Sequence, residues 1–178
     1  MKKILITRKL IKSSEEYAAS IFDVKLNKED RVLTKDEVIS QSNDCDGILT
    51  SLTEKLDADT ISKLSGKIKI ISNFAVGVGN IDLDAAKKRN IVVTNTPDVL
   101  TDATAEIAML VLLGAARRAK EGMEWVNKKN WKWSADFLMG KQLTGSRLGI
   151  LGMGRIGRTV ADRARSFGMK IHYYNRSR

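Results

Sequence analysis

Glycines 152, 154 and 157 stand in the spacing G-x-G-x-x-G within "RLGILGMGRIGRTVADRARSFGMKIHYYNRSR", the stretch from Arg147 to Arg178. That spacing suits one kind of chemistry, the grip of backbone N–H groups on a pyrophosphate. Gly152 permits a tight turn, Gly154 removes the Cβ that would hold a diphosphate off the backbone, and Gly157 lets the next helix sit close on the strand. The helix opening here would point its unpaired N–H groups and positive dipole end at the phosphates. About twenty residues on, where an acid ordinarily holds the ribose 2′-OH of NAD, the chain reads Asn175, Arg176, Ser177, Arg178. An acid there would repel a 2′-phosphate, whereas these residues would bind one through charge-assisted hydrogen bonds. NADP(H) is therefore favoured over NAD(H), the plainer alternative being the solvated end of a loop.

Elements on both sides must position this turn. "RLGIL" (147–151) reads as the strand before it, and Ile156, Val160, Ala164 and Phe167 recur at helical spacing on the face toward the sheet. Gly168 ends that helix and "MKIHYYN" supplies a second strand. Further back, "KILIT" (3–7), "FDVKL", "GILT" (47–50), "IKIISNFAV" (68–76) and "IVVTNT" (91–96) read as short buried strands. Between them lie helices: "SSEEYAASI" capped by Ser13 or Ser14, one near "TKDEVISQS", "DADTISKLS", and "DLDAAKKRN" capped by Asp82. Strands alternating with helices in this way predict an α/β fold with a doubly wound parallel sheet. "TDATAEIAMLVLLGAARRAKEG" then predicts a long helix capped by Thr101 or Asp102, apolar nearly all round from Ala103 to Ala116. Such a helix should be buried on several sides, wedged between two domains. Tryptophans 125, 131 and 133 follow in an irregular stretch. They suit plugging a long connection onto a core better than a nucleic-acid stacking platform.

Composition narrows the class. The 178 residues, 43% hydrophobic with one proline, can fill one ordinary domain or one small domain and part of another. No apolar run is long enough to span a membrane, and the basic start lacks a signal-peptide pattern. One cysteine, Cys45, and one histidine, His172, cannot build an internal disulfide or a protein-only zinc site. Cys45 reads as a small, reduced loop residue, and a cytoplasmic protein without a metal site is expected. From Lys141 to Arg178, nine Lys or Arg face Asp162 as the sole acid, so this segment holds eight of the ten net positive charges. A basic end calls for a polyanion. Because the charges gather where a dinucleotide's phosphates belong, nucleic acid is the weaker choice of partner.

Two blocks, "NFAVGVGNIDLDAAKKRNIVVTNTPDVLTDATAEIAMLVLLGAARR" and "FLMGKQLTGSRLGILGMGRIGRTVADRARSFGMKIHYYNRSR", together cover much of the chain. On them the chain resembles the D-isomer-specific 2-hydroxyacid dehydrogenases, above all the glyoxylate/hydroxypyruvate reductase branch. The resemblance implies a flavodoxin-like substrate-binding domain (residues 1–98), then a linker helix and the first part of a Rossmann cofactor domain (residues 99–178). It implies that the "AVGVG" loop offers the backbone N–H groups of Val76 and Gly77 to a substrate carboxylate. Glycines 77 and 79 would let the backbone curl into an anion-binding concavity, the alternative being a plain strand-to-helix turn. Leu52 matches a position near the substrate, Thr104 one near the nicotinamide, and Arg155 and Ile156 positions on the pyrophosphate. A homodimer through the cofactor domain is implied as well.

The resemblance departs at one point. The family's reaction passes a hydride from NAD(P)H to a 2-keto acid with an Arg, a His and a Glu, all lying beyond the position of "NRSR". His172 sits in a strand and does not match the catalytic histidine, so no catalytic residue carries over. The expectation is an incomplete chain of a glyoxylate or hydroxypyruvate reductase, binding cofactor poorly and catalysing nothing alone. An NAD-dependent D-lactate or phosphoglycerate dehydrogenase and a non-catalytic NAD(H)-sensing module remain the alternatives. A methyltransferase glycine turn would want an acid after the second strand, which is absent.

Overall fold

The computed structural model describes residues 1–128 and 133–176, which fall into two compact units, Met1–Pro97 and Asp98–Arg178. Trp131 lies outside the described residues. The first unit runs β1 (Lys3–Ile6), α1 (Lys12–Ile21), β2 (Asp23–Leu26), α2 (Lys35–Gln41), β3 (Gly47–Ser51), α3 (Ala58–Lys63), β4 (Ile70–Phe74), α4 (Leu83–Lys88) and β5 (Val92–Thr94). All strand pairs are parallel, in the order β2-β1-β3-β4-β5. This is the doubly wound, flavodoxin-like order.

Register explains the core. Leu5 pairs with Ile48, Ile48 with Ile71 and Ile71 with Val93, so one apolar side chain per strand forms a row across the sheet. Leu56, Ile61, Leu64 and Ile68 close over that row. Cys45, just before β3, is fully buried in the same cluster and carries a free thiol.

Helix starts follow side-chain chemistry where an oxygen is free. Asp57 and Asp82 cap α3 and α4 by accepting from the amides of Thr60 and Ala85. Thr34 and Glu37 form a reciprocal capping box at α2. Two expected caps are corrected. α1 begins after Ile11, with Ser13 and Ser14 already inside it, and the Glu15 side chain ties its entry by accepting from the Leu10 amide at 2.9 Å.

The second unit contains α5 (Thr101–Ala116), α6 (Ala119–Asn127), β6 (Arg147–Leu151), α7 (Arg155–Ser166) and β7 (Lys170–Tyr174), with β6 and β7 parallel. Neither Thr101 nor Asp102 caps α5; its N-cap is Leu100. The Asp102 carboxylate instead accepts from Arg163 of α7 at 3.0 Å. Met109, Leu143, Ala164 and Met169 form the centre of this unit, with Val160, Leu148 and Ile171 against it. Phe167, expected to face the sheet, is the half-exposed C-cap of α7.

The expected all-round burial of α5 is not found. Within the helix only Ala105 and Met109 are buried, while Ile107, Leu110 and Val111 are 58%, 63% and 61% exposed. An apolar helix can bury only the faces that meet a partner, and α7 meets one of them. Trp125 stacks edge-on against Phe137 with ring centroids 5.4 Å apart, whereas Trp133 is exposed. No described helix is long and apolar enough to cross a membrane.

Candidate functional site

The glycine turn follows β6 directly. Gly152 has a φ of +96°, a backbone that favours glycine, and its N–H donates to the carbonyl of Tyr174 at 2.9 Å. A Cβ at Gly157 would overlap the carbonyl oxygen of Gly152, so only glycine lets α7 approach the strand this closely. A Cβ at Gly154 would meet nothing within 4 Å. Its bare side faces open space at the N-terminus of α7, where no side chain caps the helix and no acid sits in the first turn. Those amides and that missing Cβ fit a diphosphate. Gly152, Met153, Gly154, Arg158, Asn175 and Arg176 help line an open cleft of about 520 Å³.

Around the turn the side chains are already engaged. Arg155, the first residue of α7, pairs through Nε with Asp98 at 2.7 Å. Arg158 donates from Nε to the carbonyl of Met153 at 3.2 Å. Asn175 holds the turn itself, its Oδ1 accepting from the Met153 amide. Ile156 is half-buried in the first turn of α7, and Thr104 is exposed in the first turns of α5. Ser177 and Arg178 lie outside the described residues. His172 is exposed in β7, in register with Gly149.

The second set of expected residues gathers at the carboxyl ends of β3 and β4. Leu52 stands 70% exposed at the tip of the loop after β3. Val76 is half-buried and Gly77 exposed in the loop after β4, and neither N–H has a hydrogen-bond partner among the described residues. Free, adjacent amides of this kind can take a carboxylate. Glycine freedom is not what shapes the loop. Neither Gly77 nor Gly79 has a positive φ, and a Cβ at either would meet nothing within 4 Å. Asparagines shape it instead: Asn73 Nδ2 donates to the Gly77 carbonyl at 2.8 Å, and Asn95 Nδ2 to the Val76 carbonyl at 2.7 Å. Sequence reasoning missed both, although Asn73, which opens "NFAVGVGN", was a usable signal.

The family profile described as "D-isomer specific 2-hydroxyacid dehydrogenase, catalytic domain" matches residues 4–171. The chain belongs to that family. Among relatives of this 2-hydroxyacid dehydrogenase chain, a glyoxylate reductase of Thermococcus kodakarensis is 40% identical over 99% of this chain and 54% of its own length. Among solved structures, a protein from Polaromonas sp. JS6 66, described as a D-isomer specific 2-hydroxyacid dehydrogenase, NAD-binding, superposes with a TM-score of 0.90. It is 43% identical, over 100% of this chain and 56% of that one. An NADPH-dependent glyoxylate/hydroxypyruvate reductase from Sinorhizobium meliloti, in complex with citrate, gives a TM-score of 0.82. There the identity is 29% over 100% of this chain and 55% of that one. The chain spans about half the length of the curated relatives it matches.

Proposed function

We propose that the intact protein carrying this chain reduces a small 2-keto acid, glyoxylate or hydroxypyruvate, to the D-2-hydroxy acid. In this reading residues 1–98 bind the substrate and residues 99–178 begin the cofactor domain of a homodimer. The observation that carries it is the pairing, in one chain of this family, of free amides at Val76–Gly77 with the bare face of Gly154 beside uncapped α7. The first arrangement suits a carboxylate and the second a diphosphate.

The coenzyme, when bound, supplies the hydride that reaches the carbonyl carbon. The carbonyl oxygen takes up one proton, so keto acid, reduced coenzyme and proton become hydroxy acid and oxidised coenzyme. The Val76 and Gly77 amides fix the carboxylate end, and Leu52 covers the substrate. Thr104 would flank the nicotinamide, and Gly152, Gly154, Arg155, Ile156 and Gly157 would hold the diphosphate. No residue of this chain is assigned as the proton donor. Asn175 is uncharged and Arg176 lies on the cleft, which supports NADPH over NADH, with Ser177 and Arg178 as further 2′-phosphate ligands. The NADPH dependence of the Sinorhizobium meliloti relative adds support.

Coenzyme affinity and keto-acid turnover of the full-length protein test this. Tighter binding of NADPH than NADH, with glyoxylate or hydroxypyruvate oxidising NADPH, is expected. Tighter NADH binding overturns the coenzyme preference, and coenzyme binding without turnover of any 2-keto acid would indicate a sensing module instead.

A further inference from the structure

The sheet order reverses direction between β1 and β3, and in open α/β sheets the crevice outside such a reversal is where ligands bind. Here the side chain of Glu54 occupies it. Glu54 is 1% exposed, yet among the described residues it pairs with no Lys or Arg. Its Oε2 accepts from Thr7 Oγ1 at 3.0 Å, Thr50 Oγ1 at 3.1 Å, and the Ser51 amide and hydroxyl, each at 3.3 Å. Its Oε1 accepts from Thr53 Oγ1 at 3.1 Å. Burying such a group is costly unless its oxygens are satisfied, and an apolar residue would fill the space more cheaply. What the carboxyl group contributes is shape: it folds Ser51–Glu54 around itself and leaves Leu52 pointing outward.

From this turn a chain of hydrogen bonds runs to the neighbouring loop. Asn80 Nδ2 donates to the carbonyls of Ser51 and Glu54, at 2.9 and 3.1 Å. Asn80 Oδ1 accepts from Asn73 Nδ2 at 3.0 Å, and that same nitrogen donates to the Gly77 carbonyl. The backbone repeats the link, with the Leu56 amide donating to Asn80 and the Asp82 amide to Leu56. We infer that Glu54 is a positioning residue: through Asn80 and Asn73 it makes the Leu52 loop and the Val76–Gly77 amides one body. The separation of these two parts then decides how large a 2-keto acid fits. This role rests on the proposed substrate site, but the mechanical link does not.

The experiment uses the full-length protein and the variants Glu54→Ala, Glu54→Gln and Asn80→Ala. In Glu54→Ala, amide exchange at Ala75 and Ile81 should quicken about tenfold or more, with the Val38 amide of α2 unchanged. The KM for glyoxylate should rise by a similar factor while kcat and the KM for NADPH stay within about twofold, the pattern of lost substrate binding. Glu54→Gln keeps a carbonyl oxygen for the four donors on Oε2 and should restore both readings. Should Glu54→Ala fail to fold, Asn80→Ala removes the side-chain bonds of the link, keeps the backbone ones, leaves the crevice filled and is expected to move both readings in the same direction. Faster exchange confined to residues 51–55 would overturn the coupling. Coupled exchange with an unmoved glyoxylate KM, or with NADPH affected equally, would overturn the positioning role. A wild type that turns over no keto acid would defeat the proposed function alone, because the exchange result still decides the link.

Discussion

Asn175, the residue after β7, accepts a hydrogen bond through Oδ1 from the backbone N–H of Met153, between the first two glycines of the turn, at 2.7 Å. The position where Rossmann domains ordinarily contact the ribose thus also clamps the glycine turn. In Asn175→Asp the carboxylate keeps this bond, since an ionised oxygen is the better acceptor. It also places a negative charge beside a 2′-phosphate. The ratio of NADPH to NADH affinity should fall by about tenfold or more, equivalent to about 1.4 kcal/mol. Titration of both coenzymes into the full-length protein measures it. Asn175→Ala should weaken both alike, and an unchanged ratio in Asn175→Asp would remove this residue from coenzyme choice.

Gly154 and Gly157 are expected to separate binding from folding. A methyl group at Gly157 drives into the Gly152 carbonyl, so Gly157→Ala should cost about 1–3 kcal/mol and coenzyme affinity as well. At Gly154 the methyl group meets open space, so stability should stay within about 0.5 kcal/mol. Coenzyme affinity should nonetheless drop at least about tenfold, because the methyl group stands where the diphosphate approaches. Thermal midpoints and coenzyme titrations on the two variants decide the point. Equal behaviour of the pair would contradict the reading.

Asp98 holds Arg155 through Nε at 2.7 Å, competing with any phosphate for that guanidinium. Asp98 has a φ of +70°, a conformation that asparagine also tolerates. Asp98→Asn should therefore fold normally and bind both coenzymes about two- to fivefold more tightly, with the gain shrinking as salt screens the charges. Weaker binding would show that Asp98 orients Arg155 productively and does not compete with phosphate for it.

Acid should loosen the first unit through Glu37. The Arg31 guanidinium, then the Thr34 amide, hold its carboxyl well below the ordinary 4.5, down to about 2. A depressed carboxyl stabilises the fold fully above its unfolded value and loses that contribution as pH falls toward the folded one. Between pH 4.5 and about 2, wild-type stability should decline more steeply than that of Glu37→Gln. Urea midpoints measured across this range check it; parallel curves would deny the residue a role.

Much of the architecture was legible along the chain because parallel strands are short apolar runs, as in "KILIT", where neighbouring Leu5 and Ile6 are both buried; "IKIISNFAV" reads the same way although Ile70 and Phe74 of β4 are exposed. Asp82 was legible as a cap because its partner, Ala85, is three residues away. Asp102 was not, since its carboxylate is taken by Arg163, sixty-one residues on. The same reason hid the link from Asn80 to Ser51, which exists only once β3 and β4 lie side by side. For α5, hydrophobicity announced burial but could not say which faces would find partners.

Cys45 is the only thiol in the chain, and the fold seals it away. Burial, then the neighbouring Asp44 carboxylate, pushes its pKa up, so little thiolate is available to alkylating reagents at neutral pH. A maleimide fluorophore can therefore be directed to a second cysteine introduced at Leu52 without first removing Cys45 from this part of the protein. Its emission would then report, in real time, any movement of that loop.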